Sequence, residues 1–195
     1  MLRKLTKTAL LAATTAAFLL AAGTFTSCSN GSSKALEISG DVLIKCYNDD
    51  IPIDGFIKIP DGVTTIGPKA FDYCINLESV KIPDSVTTIG DEAFQSCSNL
   101  RSVTIPDNVK TIGSSAFGWC HNLRSVTIPY NVTRIGERAF KNCNVLTSVT
   151  FTDTAGWHYG QDGEEIDVTA PAKNATNLSY GEWSEDFLYK KTTEE

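Results

Sequence analysis

Residues 59–150 repeat themselves with a period of 23. Four segments, Ile59–Lys81, Ile82–Thr104, Ile105–Thr127 and Ile128–Thr150, align without a gap, and 11 of 23 positions are identical in all four. The shared frame is I-P-x-x-V-x-x-I-G-x-x-A-F-x-x-C-x-x-L-x-S-V-x. Each unit carries the same apolar set and cannot bury it alone, so it buries it against the same set in its neighbour. The period therefore predicts a stack of coils, with one interior shared along its length.

Each part of the frame has a physical reading. In Leu77-Glu78-Ser79-Val80-Lys81-Ile82 the apolar Val80 and Ile82 alternate, as a half-buried strand requires. Pro83 lacks an N–H for the ladder and ends that strand. Val86 and Ile89, three residues apart, turn the chain back inward. Glycine recurs at Gly67, Gly90, Gly113 and Gly136, which calls for either a positive φ or a close backbone approach. Ala93, Phe94 and Cys97 fit one inward face of a short helical turn. A period in the 20s with recurring Leu, Val and Ile is the leucine-rich-repeat signature. The expected fold is an α/β-type solenoid: a right-handed coil with short parallel strands on one face and short helical or 3-10 turns on the other.

This frame resembles the BspA-like class of leucine-rich repeats, found in surface proteins of oral and gut anaerobes, including spirochaetes. The resemblance is strong over residues 59–150 and extends to 37–58. It implies surface display and a protein partner: adhesion or attachment to other cells or to host matrix proteins such as fibronectin or fibrinogen. It transfers no catalytic residue. Larger adhesins of the class carry many more repeats than the four seen here.

Solenoids need ends. Residues 37–58 read as an atypical N-terminal capping coil, with turns at Asn48-Asp49-Asp50 and Asp54-Gly55. Downstream, Phe151 occupies the Ile position, but Thr152 replaces the Pro and the frame stops. Residues 151–195 are expected to supply a C-terminal cap and an acidic tail. Trp157, Tyr159, Ile166, Val168, Trp183, Phe187 and Leu188 are the candidates to cover the last coil.

Residues 1–27 read as an export signal. Basic Arg3, Lys4 and Lys7 precede an apolar run from Ala9 to Gly23, short for a membrane span. Phe25-Thr26-Ser27-Cys28 then resembles a bacterial lipobox, with Phe25 where the motif usually has Leu. The resemblance implies lipidation of Cys28, which becomes the new N-terminus, and two or more acyl chains make a durable anchor. Residues 28–36 form a short tether, so the membrane is reached through the N-terminal lipid only. The expected location is the outer membrane or cell surface of a bacterium.

Charge and chemistry narrow the function further. The net charge is −6, and the first 27 residues contribute +3, so the remainder stands at −9. So acidic a chain has no electrostatic case for nucleic acid or anionic lipid head groups. Cys74, Cys97, Cys120 and Cys143 recur once per coil and read as a buried thiol ladder. Side chains parallel in a stack are poorly aimed for disulfides and do not converge on a metal. His121 sits in a slot filled elsewhere by Ile75, Ser98 and Asn144, which marks surface and no Cys–His dyad with Cys120. The acidic runs around Asp49 and Glu164 lack calcium-loop spacing. No hydrolase, zinc-protease or nucleotide-binding motif appears. The expectation is a monomeric protein without enzymatic activity, cofactor or metal.

The remaining candidate is the strand face. Between the inward positions lie Glu78 and Lys81, Arg101 and Thr104, Arg124 and Thr127, Thr147 and Thr150. Arg101 and Arg124 fall in register on adjacent coils and should make a small basic spot, and Arg is favoured at interface hot spots. Strands about 4.8 Å apart make four coils and their caps roughly 25–30 Å long. Such a face offers about 800 Å², one standard protein interface. Two functions fit: a surface module that binds a protein partner here, or an envelope scaffold without a dedicated ligand.

Overall fold

The computed structural model describes residues 35–160, 164–181, 186 and 188–190. The signal segment, Cys28, nearly all of the tether, and Trp183 and Phe187 of the tail lie outside the described residues.

Each repeat lays down two short parallel strands. The first set comprises β3 (Phe56–Lys58), β5 (Ser79–Lys81) and β7 (Ser102–Thr104), continued by β9 (Ser125–Ile128) and β11 (Ser148–Phe151). All these pairings are parallel and in register at the repeat period, as in Val80↔Val103 and Val126↔Val149. This is the strand read from the Ser-Val alternation, with the Val buried and its neighbours turned out.

The second set lies at the Thr-Ile step and was not anticipated. It comprises β4 (Thr65–Ile66), β6 (Thr88–Ile89), β8 (Thr111–Ile112) and β10 (Arg134–Ile135), again paired in parallel. Two residues per strand leave too little alternation to read from sequence. Glycine follows each of these strands. None of Gly67, Gly90, Gly113 or Gly136 has positive φ, so close approach is the reason for them. A Cβ at Gly90 would lie 2.8 Å from the Pro68 nitrogen, and one at Gly113 2.5 Å from that of Asp91.

The expected helical turns on the other face are absent from the described repeats. Lys69, Glu92, Ser115 and Arg138 sit in the left-handed region, as do Tyr73, Ser96, Trp119 and Asn142, at φ between 52° and 63°. Two such residues per coil interrupt any helix. Successive N–H groups then alternate in direction. Asp72 N–H donates back to Lys69 within its own coil, while Phe71 and Tyr73 donate to Ala93 and Gln95 of the next. The turn face is thus a third inter-coil hydrogen-bond ladder. Each left-handed L-residue costs roughly 1–2 kcal/mol, offset at Lys69, Tyr73, Glu92, Ser96, Ser115 and Trp119 by an N–H bonded to the next coil.

The interior is a set of ladders. Phe71, Phe94, Phe117 and Phe140 are fully buried and stack face to face, with centroids 4.7, 5.1 and 5.3 Å apart. The thiols of Cys97, Cys120 and Cys143 donate to the carbonyls of Phe71, Phe94 and Phe117 in the preceding coil, at 3.0, 3.2 and 3.1 Å. All five described cysteines are free and buried. Burial pushes the Cys97 and Cys120 thiols well above their ordinary range and Cys143 up to about 12, so these three are not thiolates at neutral pH. Cys46 lies outside the repeats yet takes the place of a phenylalanine. Its N–H donates to Ala70 and its carbonyl accepts the Cys74 thiol, as Phe71 does for Ala93 and Cys97.

Both ends of the second sheet are closed by antiparallel strands. At the N-terminal end β1 (Leu36–Ser39) and β2 (Val42–Cys46) form a hairpin, and β2 adds in parallel to β4. At the other end β14 (Leu188–Lys190) runs antiparallel to β10, with β12 (Trp157–Tyr159) and β13 (Glu164–Glu165) beyond it. Helix α1 (Pro171–Ser179) is pinned by the buried Asn174 amide, which donates to Val149 and Val168 carbonyls at 3.1 and 2.7 Å. Trp157, Val168 and Leu188 are buried in this cap, and Trp157 meets Phe151 edge-on at 4.9 Å.

Lys190 locks the cap. Its ammonium donates to Asp153 at 2.6 Å and to the Tyr130 carbonyl at 3.3 Å, and lies 5.4 Å from the Trp157 ring centre. The Lys190 hydrogen bond, with a second from the Ala155 N–H, holds the Asp153 carboxyl below the usual carboxylate range. A depressed folded-state pKa adds stability above the unfolded value, near 3.9, and loses it as pH falls through the folded one. Acid should therefore loosen this end first. Trp157 emission is expected to red-shift below about pH 4, and Asp153→Asn should show the shifted emission already at neutral pH.

Candidate binding faces

The first strand set carries Lys81, Thr104, Thr127 and Thr150 of the expected face, and Glu78, Arg101, Arg124 and Thr147 each stand one residue before a strand. Backbone N–H groups of Arg101, Arg124 and Thr147 donate to the carbonyls of Glu78, Arg101 and Arg124 at 3.0, 3.4 and 2.9 Å. Glu78, Arg101, Arg124 and Thr147 therefore form one row across four coils. Lys81 pairs with Thr104 and Thr127 with Thr150 along a second row. Seven of the eight are exposed and Glu78 is half-buried. Ser79, Ser102, Ser125 and Ser148 stand between the rows.

The electrostatics differ from the sequence reading in one respect. Arg101 sits 3.3 Å from the Glu78 carboxylate, so the basic spot is partly neutralised at Arg101 and centred toward Arg124. Both partners are largely exposed, so the pair adds little stability. It does fix the Arg101 guanidinium over the row.

The other chemical candidates are structural. His121 Nδ1 contacts the Asn142 carbonyl at 3.1 Å, while the neighbouring Cys120 thiol turns inward to Phe94. His158 is buried against Tyr189, ring centres 5.5 Å apart. Among the described residues no group of three or more His, Cys, Asp or Glu is placed to hold a metal ion. No described helix is long and apolar enough to cross a membrane.

One feature of the turn face escaped sequence reasoning. Tyr73 and Trp119, at the same left-handed position two coils apart, project outward and are 66% and 49% exposed. Their only signal in the sequence was an aromatic residue in alternate coils of an otherwise variable slot.

Parallel strands stacked at a fixed 23-residue period around leucine, valine and isoleucine ladders define a leucine-rich-repeat solenoid. The chain belongs to the BspA-type leucine-rich-repeat family: the family model described as "BspA type Leucine rich repeat region" matches six copies over residues 45–156. Among solved structures, the chain is similar to a leucine-rich cell surface protein of Faecalibacterium prausnitzii. That match has 29% identity and a TM-score of 0.53, covering 65% of this chain and 41% of that one. It is also similar to a leucine-rich repeat protein of Bacteroides capillosus, with 26% identity and a TM-score of 0.52, covering 62% of this chain and 100% of that one. A pneumococcal vaccine antigen, PcpA, shares the fold at 21% identity and a TM-score of 0.57, covering 61% of this chain and 29% of that one. No curated protein matches the chain. Of these neighbours, the Faecalibacterium prausnitzii protein is described as a cell surface protein.

Proposed function

We propose that this protein is a non-enzymatic, cofactor-free binding module, held on the bacterial surface by lipid on Cys28, that docks a protein partner on its first strand face. The observation that carries the reading is the Glu78, Arg101, Arg124 and Thr147 row, joined coil to coil by backbone hydrogen bonds, beside the in-register pairs Lys81–Thr104 and Thr127–Thr150 of two parallel sheets. Interfaces are favoured where side chains are held in place before binding, because less ordering entropy is lost. The rows are short and polar, with Arg101 and Arg124 as the groups suited to bidentate contact with carboxylates. An adhesive role toward a host matrix protein such as fibronectin or fibrinogen fits this surface, with the acidic remainder of the chain setting orientation.

A pull-down against immobilised fibronectin and fibrinogen tests the face. Arg101→Glu with Arg124→Glu is expected to weaken capture by at least about tenfold, the effect of losing one charge-assisted pair, with the thermal midpoint unchanged within error. Capture that is indifferent to the double change would remove this face from the proposal. Protease shaving of whole cells tests the anchor: Cys28→Ala should release the protein into the medium, and unchanged retention would count against lipid tethering.

A further inference from the structure

We propose that the turn face holds a second binding site, a groove between Tyr73 and Trp119 that takes a proline-rich peptide in the polyproline II conformation. The groove has a volume of about 500 Å³ and is lined by Tyr73, Ile75, Gln95, Ser96, Ser98, Trp119 and His121. That volume is in the range of built ligand sites. Its lining shares no residue with the strand rows.

The shape follows from the repeat. The left-handed slot of three successive coils holds Tyr73, Ser96 and Trp119. Two large rings thus flank a gap floored by small residues, Ser96 and Ser98. Trp119 is braced from one side by His121, edge-on with ring centres 5.9 Å apart. Asn142, which fills the same slot in the fourth coil, tolerates left-handed backbone better than a bulky ring does. Tyr73 and Trp119 therefore occupy a strained position while about half or more of each ring faces solvent. Neither gains the burial that large aromatics ordinarily supply. The left-handed turns, held by the Tyr73 and Trp119 N–H bonds to the Gln95 and Lys141 carbonyls, present both side chains to solvent.

Spacing and polarity select the occupant. The coil rise, read from the phenylalanine stack, is 4.7 Å and then 5.1 Å over these coils, so the two aromatic slots stand about 10 Å apart along the stack. A polyproline II helix advances about 9.3 Å per three-residue turn. One turn therefore matches one aromatic interval, and a proline ring can enter the gap over Ser96. The lining contains no carboxylate, ammonium or guanidinium group. It offers N–H and O–H donors from Trp119, Gln95, Ser96, Ser98 and Tyr73. A proline segment is the complement: uncharged, without backbone N–H groups, and rich in outward carbonyls. Aromatic-lined grooves that read such segments exploit the same fit.

Decaproline serves as the probe, titrated by calorimetry and by tryptophan emission. The wild type is expected to bind saturably, with a blue shift as Trp119 is covered. Trp119→Asn places in the slot the residue found at position 142, and it should weaken binding at least about tenfold. Ser96→Tyr fills the gap with a ring the slot already accepts at Tyr73, and it should abolish binding. Both variants should keep the wild-type thermal midpoint and circular dichroism. Arg101→Glu with Arg124→Glu should leave decaproline binding intact. Failure of the wild type to bind decaproline at millimolar concentration overturns the proposal. So does equal binding by Ser96→Tyr.

Discussion

Replacing Phe94 by alanine should cost about 3–5 kcal/mol of folding free energy. The ring is fully buried and stacked on both sides, 4.7 Å from Phe71 and 5.1 Å from Phe117. Its removal opens a void in the middle of the stack, and the coil above cannot settle into it. Each Cβ is tied by backbone ladders on three faces of the coil. The loss includes the transfer of the ring and the unfilled cavity, and also the contacts of two neighbouring rings. Phe71→Ala should cost less, because its outer neighbour in the phenylalanine place is the small Cys46. Urea denaturation read by circular dichroism checks both. Equal losses at Phe71 and Phe94 would mean that ring stacking adds nothing beyond burial.

Gly113→Ala is the second large effect, expected at about 2–3 kcal/mol. Its φ is ordinary, so conformational freedom is not at stake. A Cβ there would lie 2.5 Å from both the Asp91 nitrogen and the Gly90 carbonyl carbon. Those are backbone atoms held by the second parallel ladder, and they can yield only if two coils separate. Gly40→Ala is the control with the opposite character. Gly40 has φ of 63° and open space around its Cβ direction, so only backbone strain of about 1 kcal/mol applies. Similar losses at the two glycines, measured by thermal denaturation, would place the Gly113 requirement in backbone conformation and not in coil-to-coil distance.

These two residues also show what the chain discloses before folding. The phenylalanine ladder and the Ser-Val strand were legible because identical residues recur at one period, and stacking is the only arrangement that buries them all. The glycine slot was legible as a requirement, with its cause left open between φ and spacing. The second strand set was not legible, since Thr65-Ile66 and its counterparts alternate over two residues only. The left-handed turns were hidden for a different reason. Their slots hold Lys69, Glu92, Ser115 and Arg138, or Tyr73, Ser96, Trp119 and Asn142. Apart from Asn142 none has a left-handed preference, so inter-coil hydrogen bonding overrides local propensity there. The apolar spacing of Ala93, Phe94 and Cys97 suits a helical turn equally well, which is why that face was expected to be helical.

The candidate faces divide in the same way. The exposed rows were read from the variable slots between the apolar ones: alternation places Lys81 and its counterparts outward, while Glu78 and its counterparts lie just before the strands. The Glu78–Arg101 ion pair did not, because it depends on side-chain reach between coils. The aromatic groove joins residues of three coils whose sequence slot varies from coil to coil. Only the turn geometry, which points that slot outward, brings Tyr73, Ser96 and Trp119 onto one surface. The C-terminal cap was readable as apolar residues in search of a core. Its chain path was not: β14, the last of the three in sequence, pairs with β10 ahead of β12 and β13.

The central claim is that successive repeats advance by one strand spacing along a single axis. Pulsed electron paramagnetic resonance between spin labels on the exposed row tests it most directly, with one label at Thr150 and the other at Lys58, Lys81 or Thr104. The backbone separation should grow linearly with the number of coils, by about 4.8 Å each, to about 19 Å for the Lys58 pair. A separation that does not increase from Thr104 to Lys58 would contradict a continuous stack.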